Sequence, residues 1–251
     1  MTEDPEGTIL ALFVAFCRIG GCIMVLPGFS SFRVPLQIRL FIALAVSMAL
    51  LPVLWEPLYA NVRTGQRIYI ALVGVELLIG ITFGLIARYI VLALQFAGTG
   101  ISMAIGFNAA PGGSLLEAEQ EGHLTSLISF TALLVLFMTD FHHLVIAVLV
   151  RSYDYMPLGS GFDPKMALRT LTDTLAGSFM LVLRLASPFL VYGLLFNLSI
   201  GMVNKLAPQI PVYFISIPFI LFGGLILLFF GSTEFFLQFI AGFEPLFMGL
   251  H

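Results

Sequence analysis

Charge is what this sequence has least of. Of its 251 residues, 11 are Lys or Arg and 14 are Asp or Glu, so charged side chains make up only 10% of the chain. A soluble domain carries about 25%, because its surface must face water, and this chain has too few charges to coat such a surface. Tryptophan occurs once and cysteine twice, at Cys17 and Cys22. Five positions apart on a helix, the two thiols diverge by roughly 140°, which suits a disulfide poorly. No further ligands stand beside them for a metal, so they read as small apolar filler. Basic blocks are missing as well. With a net charge of -3 and a pI of about 5.7, nothing here could neutralise a phosphate backbone, and nucleic acid is excluded as a partner. The HExxH, GxSxG and GxxxxGK[ST] signatures do not occur, and Asp154 and Asp163 have no recognisable Ser or His partner. The expectation is a protein that is not an enzyme and needs no cofactor and no metal.

What the chain does have is length in its apolar runs. Hydrophobic residues make up 59%, Phe alone accounts for 25 positions, and mean hydropathy is +1.05. Lipid or another apolar protein is the natural solvent for most of its surface, so the chain is an integral membrane protein. Six runs stand out, at 8–26, 38–56, 68–98, 124–150, 174–203 and 212–231, with a weaker seventh at 233–249. A helix needs about 20 residues to cross the hydrocarbon layer, whereas a barrel would show alternating segments of about ten. Leu221 to Phe230 shows no alternation. The predicted fold is all-α and polytopic, with about six long hydrophobic helices, a possible seventh short one, and a single membrane domain over 1–251. The start, Met-Thr-Glu-Asp-Pro-Glu, is acidic where a signal peptide would be basic, so the first helix is expected to stay.

Proline and glycine punctuate the runs, at Pro27-Gly28, Pro52, Pro57, Pro111-Gly112-Gly113, Pro157 to Pro164, and Pro208 with Pro211. With six crossings, the side holding the N-terminus receives Arg63, Arg67, Arg151, Lys165 and Arg169, and the other receives Arg33, Arg39 and Lys205. That asymmetry leans toward a cytoplasmic N-terminus. Residues 68–98 would make a helix of about 46 Å, well beyond a layer of about 30 Å. The helix must protrude, break near Gly80 or Gly84, or be clothed by protein.

Ionisable residues inside such runs are costly and face a protein interior or an aqueous path. Arg18, Glu76, Arg88 and Arg184 are the cases here. Arg18 could form a buried pair with Glu76 or serve transport directly, and Arg184 follows the same logic. Gly80 and Gly84 make a small-x3-small face that allows close helix approach. Gln95, Gly98, Gly100, Ser102, Gly106 and Asn108 form a polar, small-residue stretch running to Pro111, read as a pore-proximal element over a loose helix end. Asp140, His142 and His143 interrupt the fourth run. Neighbouring histidines diverge by about 100° on a helix, so a buried polar contact with another helix is favoured over a proton relay or a metal site, although Asp140 and His143 could touch. Glu117, Glu119, Glu121 and His123 read as a solvated acidic rim.

Several short patterns occur in a telling order: Phe16-Cys-Arg18, then Pro27, then Val34-Pro35-x-x-x-Arg39, then Glu76-x-x-x-Gly80-x-x-x-Gly84. After them come His143 with Ser152, Met156-Pro157-Leu158-Gly159, and Asn204-Lys205-Leu206-Ala207-Pro208-Gln209-Ile210-Pro211-Val212-Tyr213. In this order, and over almost the whole chain, they resemble the FliR/SpaR/SctT family of export-gate subunits in flagellar and virulence type III secretion. Two departures stand out. Asn108-Ala-Ala-Pro111 lies where the family often has Asp-Pro, and Phe141-His142-His143 where it often has Asn-Gly-His.

The resemblance implies one copy of the chain joined to FliP-like and FliQ-like subunits in a helical export gate of the bacterial inner membrane, at the flagellar basal body. A FlhB-like switch protein would associate at its cytoplasmic side. The gate would conduct unfolded rod, hook and filament proteins. Gly106, Phe107, Asn108, Pro111, Gly112 and Gly113 would belong to a channel plug or lining. Arg18, Glu76, Arg88, Arg184 and His143 would serve as intramembrane charge or assembly residues. The alternatives are a virulence export gate of the same family and, less favoured, a small-solute secondary transporter, which would show an internal inverted repeat.

Overall fold

A computed structural model of the chain describes residues 4–30, 34–62, 66–107, 122–159 and 161–248. Their regular structure is helical: α1 (Pro5–Val25), α2 (Leu36–Leu50), α3 (Trp55–Val62), α4 (Gln66–Ala104), α5 (His123–Met138), α6 (Phe141–Tyr155), α7 (Pro164–Leu206) and α8 (Val212–Met248).

The all-α expectation holds, but the count of six spans needs correction. Among the described residues, four helices are long and apolar enough to cross a membrane, namely α1, α4, α7 and α8, and the bent pair α5 with α6 makes a fifth if it counts as one span. The apolar run at 38–56 yields only the 15 residues of α2: Leu51 is still helical at φ -53° and ψ -42°, but Pro52 has no N–H with which to continue the ladder. The run at 124–150 is interrupted at Thr139–Asp140, where Asp140 takes a left-handed conformation with φ 58°. The runs at 212–231 and 233–249 fuse into α8, since Gly231 to Glu234 lacks a proline and the helix passes through it. The six-crossing tally of loop charges falls with the count. No break occurs at Gly80 or Gly84 either: α4 runs unbroken for 39 residues, about 58 Å. α7 runs for 43 residues with Pro188 inside it.

The contacts divide the described residues into two compact units. One draws on Met1–Ile90 and Asp140–Leu175, the other on Val91–Thr139 and Ala176–Leu246. In the first, Asp4 opens α1 by accepting from the Gly7 amide at 3.1 Å, with Pro5 in the first turn, where a missing N–H costs nothing. The Tyr59 hydroxyl donates to Asp4 at 2.9 Å and so ties α3 to the start of α1. Around α1 lies a core that includes Val14, Ile19, Ala43, Leu54, Leu58 and Leu72. Gly80 and Gly84 sit where α4 crosses α1. A Cβ on Gly80 would collide with the Arg18 carbonyl, and one on Gly84 would lie 2.7 Å from the Cys22 carbonyl. The small-residue face therefore sets how closely these two helices approach.

The second unit uses similar devices. The Tyr192 hydroxyl donates to the Ile220 carbonyl at 2.9 Å, joining α7 to α8. Ser102 and Thr125 hydroxyls lie 3.5 Å apart between α4 and α5. Much of α8 remains uncovered: only 17% of its most apolar window is buried, and Phe222, Phe229 and Phe230 are exposed.

Candidate functional site

The first unit holds an ionic centre inside apolar helices. Arg18 on α1 is 0% exposed and Glu76 on α4 is 1% exposed. Their side chains meet as a fork: Arg18 Nε donates to Glu76 Oε2, and Nη2 donates to Oε1 at 2.9 Å. A planar guanidinium matches a carboxylate in this two-point manner, which adds direction as well as strength. They stand 58 positions apart with two other helices between them, so spacing alone could not decide the pairing that the sequence offered as one option.

α6 completes the shell. Arg18 Nη1 donates to the Ser152 hydroxyl at 3.0 Å, and the Ser152 hydroxyl in turn donates a hydrogen bond to the Leu149 carbonyl at 2.6 Å. Arg18 Nη2 also donates to the Met156 carbonyl at 2.9 Å. That carbonyl is available because α6 ends there, with Met156 at φ -125° and ψ 72° and Pro157 unable to continue the helix. The guanidinium carbon sits 3.8 Å above the centre of the Tyr153 ring, a stacked position that favours a cation. Four of the five N–H donors of the guanidinium thus find acceptors within the chain. A buried charge is tolerable only when paired and hydrogen-bonded, and this one is both.

Chemically the arrangement fixes three helices to one another. With its donors occupied by α4 and α6, Arg18 is held in place and shielded, and the centre presents no open coordination to a passing solute. Ser152, Tyr153 and Met156 were not singled out as site residues from the sequence. Their signal was present: Ser152 and Met156-Pro157 stand among the ordered patterns, and a serine on an apolar helix just ahead of a proline-terminated carbonyl offers acceptors to a buried cation.

The other predicted residues lie apart from this centre. Arg88 on α4 and Arg184 on α7 are exposed, so Arg184 does not repeat the burial of Arg18. Gly106 and Phe107 close the end of α4: the Gly106 amide donates to the Met103 carbonyl at 3.2 Å, and Gly106 takes φ 73°, a conformation that glycine adopts without strain. Asn108, Pro111, Gly112 and Gly113, with the acidic rim Glu117, Glu119 and Glu121, lie outside the described residues. Asp140 and His143 are 74% and 72% exposed, which corrects the expected buried contact with another helix. The break before α6 leaves Asp140 on an open turn instead.

Beside the ionic centre, a cleft of about 210 Å³ runs between α4 and the start of α7. Phe83, Ile86, Tyr155, Phe162 and Met166 give it an apolar lining. Asp163 at its edge accepts from the amides of Lys165 at 2.9 Å and Met166 at 3.3 Å, capping α7.

Long apolar helices with a fixed, fully buried ion pair between them define a polytopic helical membrane protein. The family described as bacterial export proteins, family 1, matches residues 9–246, and the chain belongs to it, as the order of its motifs implied. The flagellar biosynthetic protein FliR of Caulobacter vibrioides is 32% identical over 227 residues, covering 88% of this chain and 89% of that protein. FliR of Aquifex aeolicus is 28% identical over 234 residues, covering 89% and 85%. The secretion system apparatus protein SsaT of Salmonella typhimurium is 24% identical over 227 residues, covering 87% and 85%.

Proposed function

We propose that the chain is a subunit of the flagellar type III export gate. It assembles with FliP-like and FliQ-like subunits into a channel for unfolded rod, hook and filament proteins and helps to seal that channel when idle. A FlhB-like protein meets it on the cytoplasmic side, in the inner membrane at the basal body. One observation carries the reading beyond family membership: α4, α7 and α8 are longer than a bilayer requires, and they leave large apolar side chains uncovered. A helix of about 64 Å, as 43 residues give, extends far outside a hydrocarbon layer of about 30 Å. Apolar surface at that distance needs protein cover, and partner subunits with similar helices supply it.

In this role the protein is a conduit wall and seal, not a motor. Proton motive force and ATP hydrolysis act through other subunits. An apolar constriction excludes water and ions while no substrate is present, and the segment from Gly106 to Gly113 is the part of this chain proposed to project into the channel. The Arg18–Glu76 centre holds α1, α4 and α6 in the arrangement that partners dock against.

The likeness to SsaT supports a second reading within the family, a virulence export gate. Deleting the gene in its native cells and quantifying secreted proteins separates the two. Loss of hook and filament proteins from the medium, restored by the intact chain, supports the flagellar role. Loss of injected effectors with flagellar secretion unchanged supports the virulence role. Unchanged secretion of both, with a solute-uptake defect, contradicts the export reading altogether.

A further inference from the structure

The break between α5 and α6 gathers three metal-ligating side chains away from the buried ionic centre. Asp140, His142 and His143 each offer a ligand atom, and these atoms lie within 4.8 Å of one another. His143 Nδ1 is 3.3 Å from Asp140 Oδ1, and the two imidazole centroids are 4.2 Å apart at 38°. On a continuous helix two adjacent histidines would diverge. Here they occupy the first turn of α6, and the left-handed Asp140 folds its carboxylate back over that turn. Asp140 makes no side-chain capping bond to α6, so its carboxylate is directed at the imidazole and not at the helix amides.

We infer that Asp140, His142 and His143 form a site for a divalent transition metal of the zinc class. Two imidazoles and a carboxylate are a ligand set that zinc accepts with water in the fourth position, with metal–ligand bonds of about 2.0–2.2 Å. Tetrahedral geometry with such bonds separates neighbouring ligand atoms by about 3.4 Å. The Asp140–His143 edge already has that length, and rotation of the His142 side chain closes the remainder. A bound metal would pin the first turn of α6, the same helix whose far end supplies Ser152 and Met156 to Arg18. The inference does not depend on the export-gate reading.

The test uses the full-length protein, purified in mild detergent with a histidine-free tag and titrated with Co²⁺ as a spectroscopic substitute for zinc. One equivalent should produce the intense visible absorption of tetrahedral cobalt, bleached by competing Zn²⁺. His142→Ala and His143→Ala should each weaken binding roughly 100-fold or more, on the scale of ligand-shell losses, while His123→Ala leaves it unchanged. Asp140→Asn, whose side chain tolerates the left-handed turn, should also weaken binding while the helical circular dichroism stays the same, which separates ligand loss from misfolding. Absence of the tetrahedral band in the intact protein would overturn the inference. So would equal binding by the intact protein and the Asp140 and histidine variants.

Discussion

Arg18 decides most of what can be said at the scale of single residues. Removing one partner from a buried ion pair strands the other, at a cost of about 3–5 kcal/mol. Arg18→Ala and Glu76→Ala should each destabilise the protein by that order, read as a fall in accumulated chain and in its thermal midpoint in detergent. Arg18→Lys should lie between, since an ammonium keeps the charge but not the fork to Glu76 or the stacking on Tyr153. The double variant Arg18→Met with Glu76→Met separates structure from transport. Replacing both charges with apolar groups of similar size is often nearly neutral for stability. If the pair serves assembly, secretion should recover with stability. Stable chain without secretion would assign the charges a direct part in transport. From the sequence both charges were visible as anomalies in apolar runs, and their pairing was one of two readings; the pair is made by tertiary contact across 58 positions, which no local spacing could decide. The Met156 carbonyl was less visible still: a backbone acceptor has no side-chain signature, and only Pro157 hints that it is left free.

At the scale of elements, the crossing of α1 and α4 rests on the absence of side chains. Gly80→Ala should push the helices apart and cost about 1–3 kcal/mol, the range for overpacking, because the added methyl meets the Arg18 backbone and not a movable side-chain tip. Gly74→Ala, on the same helix with nothing within 4 Å of the added methyl, should be neutral or gain up to about 1 kcal/mol from helix propensity. Thermal unfolding of the two variants side by side in detergent checks the contrast, and equal effects would contradict it. Elements were where sequence reading succeeded and failed most clearly. Helical class followed from run length and missing alternation. Span number did not, because hydropathy continues through Leu51-Pro52 and Thr139-Asp140 where the backbone stops, and it pauses at Gly231 to Glu234 where the backbone continues.

At the scale of the whole molecule, this chain folds around part of its apolar surface and exposes the rest. On the export-gate reading, the uncovered aromatic side chains of α8 are binding surface. Phe229→Lys places a charge on that surface without touching the buried core, since Phe229 is exposed in the chain itself. It should leave the chain inserted and extractable, yet reduce recovery of bound partner subunits by about tenfold or more, a loss of about 1.4 kcal/mol or above. Unchanged partner recovery would mean that this face meets lipid. Family membership was legible in the sequence through the order of its short motifs over almost the whole chain, and the family match over residues 9–246 agrees with it. Four of those patterns, far apart in the chain, converge on the buried centre through Arg18, Glu76, Ser152 and Met156.

The measurement that reaches furthest is gentle extraction of the tagged chain from its native cells, followed by quantitative mass spectrometry of what remains bound. An export-gate subunit should bring with it FliP-like and FliQ-like proteins in molar excess over itself, and their flagellar or virulence identity would name the system. A folded, stable monomer or homodimer recovered without them would contradict the export-gate reading.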